Sequence, residues 1–257
     1  MRYSLCITNR NSVGTIRQSL DSLLGQLDEA YEVVVVDSIS TDGSERVLRE
    51  YQERGKLKLI SQKCSRGVGR QLAFENSSGD YVFSHLDMDE IFTPVLREFA
   101  KYYHEKCEGN LLVGIRKPGD WRQNTTLAPR LLIEELGGWR DLQYAEDWDL
   151  WSRAAKAGKY AWTVFPMLAG PKSAGDRYSR LGKLRFRYGR YRDELRLGRR
   201  VFQDGESVTI AQRTMLLAAE LSAPLHRSFH DSFNQRFSCS DPMFMIPQNL
   251  ITVDGES

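Results

Sequence analysis

Four consecutive valines, Val33 to Val36, run into Asp37, and no other segment constrains the fold as tightly. β-branched side chains are stiff in a helix and suit a pleated strand. Because every position is apolar rather than every second one, the strand must be covered on both faces, as in the middle of a parallel sheet flanked by helices. The neighbouring segments agree. Ile16, Leu20, Leu23, Leu24 and Leu27 recur at helical spacing, Ser38 to Gly43 reads as a turn, and Ser44 to Arg54 returns to a helix pattern. Further strands are expected over Tyr3 to Thr8, Leu57 to Ser61 and Tyr81 to Leu86. The rhythm is that of βαβ units in an α/β fold. Beyond residue 90 the expectations are a helix from Val95 to about Lys106, a strand near Leu111 to Ile115, a helix from Glu146 and a strand from Tyr160 to Phe165.

The fourth expected strand ends in Asp87, Met88, Asp89 and Glu90, three carboxylates within four residues. Such crowding is relieved by a cation with hard oxygen preferences, and that cation would in turn hold a diphosphate. A solvated acidic turn is the plainer alternative. In open α/β sheets ligands sit outside the carboxyl ends of the strands, so Asp37, the Arg66 to Arg70 segment and Asp87 to Glu90 are expected at one edge. Gly67 and Gly69, between Arg66 and Arg70, read as a loop opening into a helix, where backbone amides and guanidinium groups could approach phosphate.

Composition narrows the classes. The 257 residues carry a net charge of only +2, which gives no general affinity for nucleic acid. No apolar run approaches the roughly 20 residues of a membrane span, and the start leads directly into a strand pattern, so neither a leader nor an anchor is expected. The cysteines, Cys6, Cys64, Cys107 and Cys239, are scattered without a CxxC pair. That suits reduced thiols in a cytoplasmic protein. Charge is unevenly spread, with 11 Lys/Arg against three Asp/Glu between Lys172 and Arg200. Residues 1–170 are therefore expected to form the main domain and 171–257 a basic, largely helical extension.

Five blocks together resemble the inverting family 2 glycosyltransferases of the GT-A fold: Ser4-Leu-Cys-Ile-Thr-Asn-Arg-Asn11, Val33 through Asp42-Gly43, Arg66-Gly-Val-Gly-Arg70, Gly79-Asp-Tyr81 through Asp87-Met-Asp89, and Glu146-Asp147-Trp-Asp-Leu150. The resemblance covers about the first 165 residues, in order. It implies a sugar moved from a nucleoside-diphosphate donor to a hydroxyl on a glycan or lipid-linked acceptor. Asp89 would hold Mn²⁺ or Mg²⁺. Asp87 would meet the ribose or a metal-bound water, with Glu90 behind it, while Thr8, Asp37, Ser38 and Arg70 would bind the nucleotide. Asp147 would be the base.

Several readings stay open. Asp37 and Thr8 could instead cap turns, and Arg70 could pair with Glu75 or Asp80. Many relatives carry Asp at the position of Ser38, so the nucleobase is not fixed. Trp139 is the candidate for an acceptor wall, Trp148 and Trp151 are expected in the core, and His85 and His104 are read as structural or surface residues. His226 and His230 lie at i and i+4, which could clip a metal. A non-catalytic nucleotide- or glycan-binding module and a nucleotidyltransferase are the alternatives. In the basic tail, Tyr178, Leu181, Leu184, Tyr188, Tyr191, Leu195 and Phe202 form one apolar stripe. Residues 177–202 would dock on an anionic inner leaflet, or else pack on the domain or between subunits. One more helix is expected from about Val208 to Leu221.

Overall fold

The computed structural model describes residues 2–115, 124–165, 180–197 and 218. Seven strands form one sheet in the order β3-β2-β1-β4-β6-β5-β7. These are β1 (Tyr3–Asn9), β2 (Tyr31–Asp37), β3 (Lys58–Ser61), β4 (Tyr81–Asp87), β5 (Leu111–Ile115), β6 (Asn124–Pro129) and β7 (Tyr160–Val164). All neighbours are parallel except β6, which runs antiparallel to both β4 and β5. The α/β class and the mainly parallel GT-A-like sheet stand as the sequence implies.

The valine run behaves as its pattern demands. Val33 and Val35 join one core with α1 (Ile16–Leu24), α2 (Ser44–Glu53) and α4 (Leu96–Lys106). Val34 and Val36 join the other, under α3 (Arg66–Glu75), α5 (Arg130–Glu135) and α6 (Glu146–Lys156). Successive side chains alternate faces, and each fully buried valine contributes roughly 1.5–3 kcal/mol by leaving water.

Helix α1 stops at Leu24 rather than Leu27, because Gln26 and Leu27 donate to Leu23 and Leu24 and tighten the last turn. Two elements were not expected. β6 carries Thr125 and Thr126, both buried, so it lacks an apolar signature, and α5 is a short helix that follows it directly.

Strand β4 departs from regular pairing. Leu5 and Ile7 of β1 face Phe83 and Leu86, so three steps of β4 match two of β1. His85 sits in this bulge with φ +63°, a conformation uncommon outside glycine. The extra residue lets both Phe83 and Leu86 enter the same core.

Helix α7 (Arg180–Arg196) lies against the segment before α6. Asp193 is fully buried and accepts from the backbone N–H groups of Gln143 and Tyr144, both at 2.7 Å. Gly189 lets the helix approach Tyr144, since a Cβ there would stand 2.1 Å from the ring. Leu197 packs with Leu142 and Ala145. Of the expected apolar stripe, Leu184 is 46% exposed and Tyr188, Tyr191 and Leu195 are partly buried, while among the described residues the buried ones here are Gly189, Asp193, Glu194 and Leu197. No described helix is long and apolar enough to cross a membrane. Tyr178, Phe202, the helix expected near Val208, His226, His230 and Cys239 lie outside the described residues.

Candidate active site

The carboxyl ends of β1, β2 and β4 lie side by side. Thr8 pairs with Val36 on one side and Asp87 on the other. Asp37 is fully buried, and three donors converge on it: Asn9 Nδ2 and Ser40 Oγ reach Oδ1 at 2.6 Å each, and the Ser40 amide reaches Oδ2 at 2.8 Å. These bonds build the turn that follows β2. The turn includes Ile39 at φ +51°, where a β-branched residue is strained. Ser38 Oγ donates to the Cys64 carbonyl at 2.9 Å and accepts from the Cys64 amide at 3.2 Å. Its hydroxyl ties two loops together.

Beyond β4, Asp89 and Glu90 are largely buried and Asp87 half-buried. The donor set of Asp87 and Asp89 is all carboxylate oxygen, which suits a hard divalent cation. Among the described residues no group of three or more His, Cys, Asp or Glu is arranged to hold a metal. An ion at Asp89 would therefore complete its shell with diphosphate oxygens and water, as sites of this type do for Mg²⁺.

A second cluster lies at the start of α6. Asp147 Oδ1 stands 3.1 Å from Arg70 Nε and 2.6 Å from His85 Nε2, while Glu146 Oε1 lies 3.5 Å from Arg66 Nη1 and 3.6 Å from Arg70 Nε. These contacts lie off the ideal hydrogen-bond directions, and the Asp147 oxygen, Arg70 Nε and Nη1, and His85 Nε2 make no aligned hydrogen bond. The site is held by charge. Burial would raise the Asp147 carboxyl, but Arg70, His85 and Arg66 outweigh it and hold the group well below the usual range. Glu146 goes the other way: burial and then Asp147 push it up against Arg66 and Arg70. Burial lowers His85, opposed by Asp147 and reinforced by Arg70. The surroundings thus favour the ionised form of Asp147 and the neutral form of His85.

One expectation about the arginine segment needs correction. Arg66 to Arg70 is not a loop but the first turn of α3, capped by Ser65, whose Oγ accepts from Val68. The amides of Arg66 and Gly67 donate to Gln143 Oε1 and the Leu142 carbonyl, so this helix end is already covered by protein. Gly67 is there for close packing, since a Cβ would stand 1.9 Å from the Arg140 carbonyl. Arg70 pairs with Asp147 and Glu146, not with Glu75 or Asp80.

The aromatic expectations divide. Trp139 is fully buried against Phe74 and is no acceptor wall. Trp151 is in the core as expected, and Trp148, beside Asp147, packs half-buried against the same core with the Arg190 guanidinium 5.6 Å over its ring. His104 is structural, bonded to the Tyr3 hydroxyl at 2.8 Å. His85, read from the sequence as structural or surface, is buried and lies 2.6 Å from Asp147. Its signal was the adjacent polar pair Ser84-His85, which breaks the alternation of an otherwise apolar strand.

A mainly parallel sheet whose carboxyl edge gathers an acidic strand end, two arginines and an ion-paired carboxylate defines an α/β transferase of the GT-A class. The chain belongs to glycosyl transferase family 2, whose family model matches residues 4–156. Bacillus subtilis EpsE, assigned as a glycosyltransferase, is 22% identical over 202 residues, 66% of this chain and 72% of that one. The poly(ribitol-phosphate) beta-N-acetylglucosaminyltransferase TarS of Staphylococcus aureus is 27% identical over 121 residues, 45% of this chain and only 21% of TarS.

Solved structures share the fold. The mannosyltransferase PcManGT of Pyrobaculum calidifontis, in complex with GDP-Man and Mn²⁺, superposes with a TM-score of 0.60 at 19% identity, covering 91% of this chain and 73% of that one. A TarS fragment in complex with UDP-GlcNAc gives 0.58 at 18% identity, over 90% and 74%.

Proposed function

We propose that the chain is a metal-dependent inverting glycosyltransferase that moves a sugar from a nucleoside diphosphate to a hydroxyl acceptor, with Asp147 as the base. The observation that carries this is the meeting of the β4 end and the α6 start: His85 of β4 touches Asp147, and Asp87 acts electrostatically on both His85 and Arg66. This proximity supports a common site for the donor-binding and proton-accepting groups. Inverting transfer needs that layout, because the acceptor attacks from the face opposite the leaving diphosphate. A bound Mn²⁺ or Mg²⁺ at Asp89 would neutralise charge on the diphosphate. Asp147, held ionised by Arg70, takes the acceptor proton. Thr8, Asp87 and the turn built by Asp37 form the nucleotide edge, with Ser38 bracing that turn.

Neighbours in complex with GDP-Man or UDP-GlcNAc support a nucleotide-sugar donor. The test is a thermal-shift screen of nucleoside-diphosphate sugars with and without Mn²⁺, followed by NMR of the product made from the stabilising donor. An α-linked donor should give a β-linked product. Retained configuration would remove Asp147 as the base, and the absence of any turnover with a bound donor would favour a binding module.

Leu184 and Phe186 stay 46% and 44% exposed on the arginine-rich α7, which supports a peripheral contact with an anionic bilayer next to a lipid-linked acceptor. Flotation with anionic liposomes tests it; a chain left in the soluble fraction at low salt would rule it out.

A further inference from the structure

We propose that His85 is the positioning residue of the transfer reaction, turned by the bulge in β4 to fix one oxygen of Asp147 and leave the other for the acceptor. The inference rests on Asp147 being the base. Strand alternation alone would place residue 85 opposite Leu86, but would also send Phe83 and Leu86 to different faces. The extra residue keeps both in the core beneath α1, α2 and α4 and sends the His85 ring toward α6. Bulges recur where a strand must re-aim a side chain.

The ring is held from every side. Its Nδ1 lies 2.7 Å from Thr126 Oγ1 and 3.1 Å from Ser84 Oγ, and Trp151 stands edge-on at 5.4 Å. Both hydroxyls can donate to Nδ1, while a 2.6 Å approach of Nε2 to a carboxylate oxygen would be repulsive between lone pairs. The hydrogen therefore belongs on Nε2. Its alignment with Asp147 is imperfect here, as is common before substrate binds.

Both the His85 and the Arg70 contacts fall on Oδ1 of Asp147. Asp147 remains 21% exposed, and Oδ2 is the oxygen left for the acceptor. In the transfer step the acceptor oxygen bonds to the anomeric carbon as the carbon–diphosphate oxygen bond breaks, its electron pair leaving on the diphosphate. The hydroxyl proton moves to Oδ2, and His85 keeps its own. The charged groups facing the ring are Asp147 of α6, Arg70 of α3 and Asp87 of its own strand, with Glu146 and Arg66 next beyond; β6 offers only the Thr126 hydroxyl.

The experiment compares His85→Leu, which removes the donor, with His85→Gln, which keeps an N–H, and with Asp147→Asn, all in the full chain with donor and Mn²⁺. His85→Leu should lower kcat about 100-fold, the cost of a misplaced catalytic group, with donor KM unchanged. The acidic limb of its kcat–pH profile should move to higher pH, because the ionised base loses the polar N–H neighbour at its Oδ1. His85→Gln should restore most of kcat and the limb. An unshifted limb in His85→Leu alongside an inactive Asp147→Asn overturns the role of His85 alone, whereas an active Asp147→Asn removes the base and this proposal with it. Should His85→Leu not fold, ¹⁵N NMR of the wild-type imidazole decides: a hydrogen on Nε2 that responds to Asp147→Asn supports the assignment, and one on Nδ1 overturns it.

Discussion

Asp37 and Asp147 stand at the same edge of the sheet, yet their surroundings are opposite. Asp37 receives three hydrogen bonds of 2.6–2.8 Å from Asn9 and Ser40 and is sealed from solvent. Asp147 is gripped by two cationic or polar neighbours on one oxygen and stays partly open. A carboxylate saturated by short, local donors builds backbone; one held by charge and left with a vacant lone pair is poised for a proton. Replacing each by Asn separates the roles. Asp147→Asn should cut turnover by about 10²–10⁴-fold, the usual worth of a general base, while donor affinity measured by calorimetry stays unchanged.

Asp149, two residues on, sharpens the contrast within one helix turn. It is fully buried, and Arg140 Nη1, Arg153 Nε and Arg153 Nη2 approach it at 3.1, 3.0 and 2.8 Å. Arg153 continues to the carbonyls of Leu136 and Gly138, so Asp149 pins α6 to the loop that precedes it. Asp149→Asn breaks a buried ion pair and should cost about 3–5 kcal/mol in urea unfolding. Asp37→Asn should cost less, about 1.5–3 kcal/mol for hydrogen bonds to a charged group, and should loosen Ile39, visible as faster amide exchange at residues 38–41.

The sheet was legible because burial on both faces writes itself as an unbroken valine run, and one-face helices as Ile16, Leu20 and Leu23. β6 was not, because its buried Thr125 and Thr126 hide it among polar residues. Within the site, the order of acids at Asp87, Asp89 and Asp147 could be read along the chain. Their partners could not: Arg70 is 77 positions from Asp147 and His85 is 62, and they meet only once β4 and α3 are folded against α6. The docking of α7 was hidden for a related reason. A helix carries several candidate faces, and here the one chosen holds an acid, Asp193, that caps two amides of the segment leading into α6.

That capping links α7 to the catalytic side of the comparison. Asp193→Ala leaves the Gln143 and Tyr144 amides without their acceptor, so α7 should detach, with raised hydrogen exchange across residues 141–146 and a loss of about 1.5–3 kcal/mol. A kcat reduced by no more than about tenfold, against the larger loss in Asp147→Asn, would place α7 as a brace for the base.

The smallest effect expected concerns Glu146, whose pKa moves opposite to that of its neighbour. Asp147, depressed by Arg70 and His85, contributes stability above its unfolded pKa, and this is lost only as pH falls through the low folded value. Glu146 is raised by burial, so the folded state binds its proton more tightly than the unfolded chain. Its contribution is complete below the ordinary glutamate range and fades as pH climbs toward the raised folded value. Glu146→Gln is neutral at every pH and avoids that loss. Its melting temperature relative to wild type should therefore improve steadily from pH 5 to pH 9, by about 2–4 °C if the difference reaches roughly 1 kcal/mol. A margin that shrinks with pH would mean that Arg66 and Arg70 keep Glu146 ionised, and the two acids would then no longer form an opposed pair.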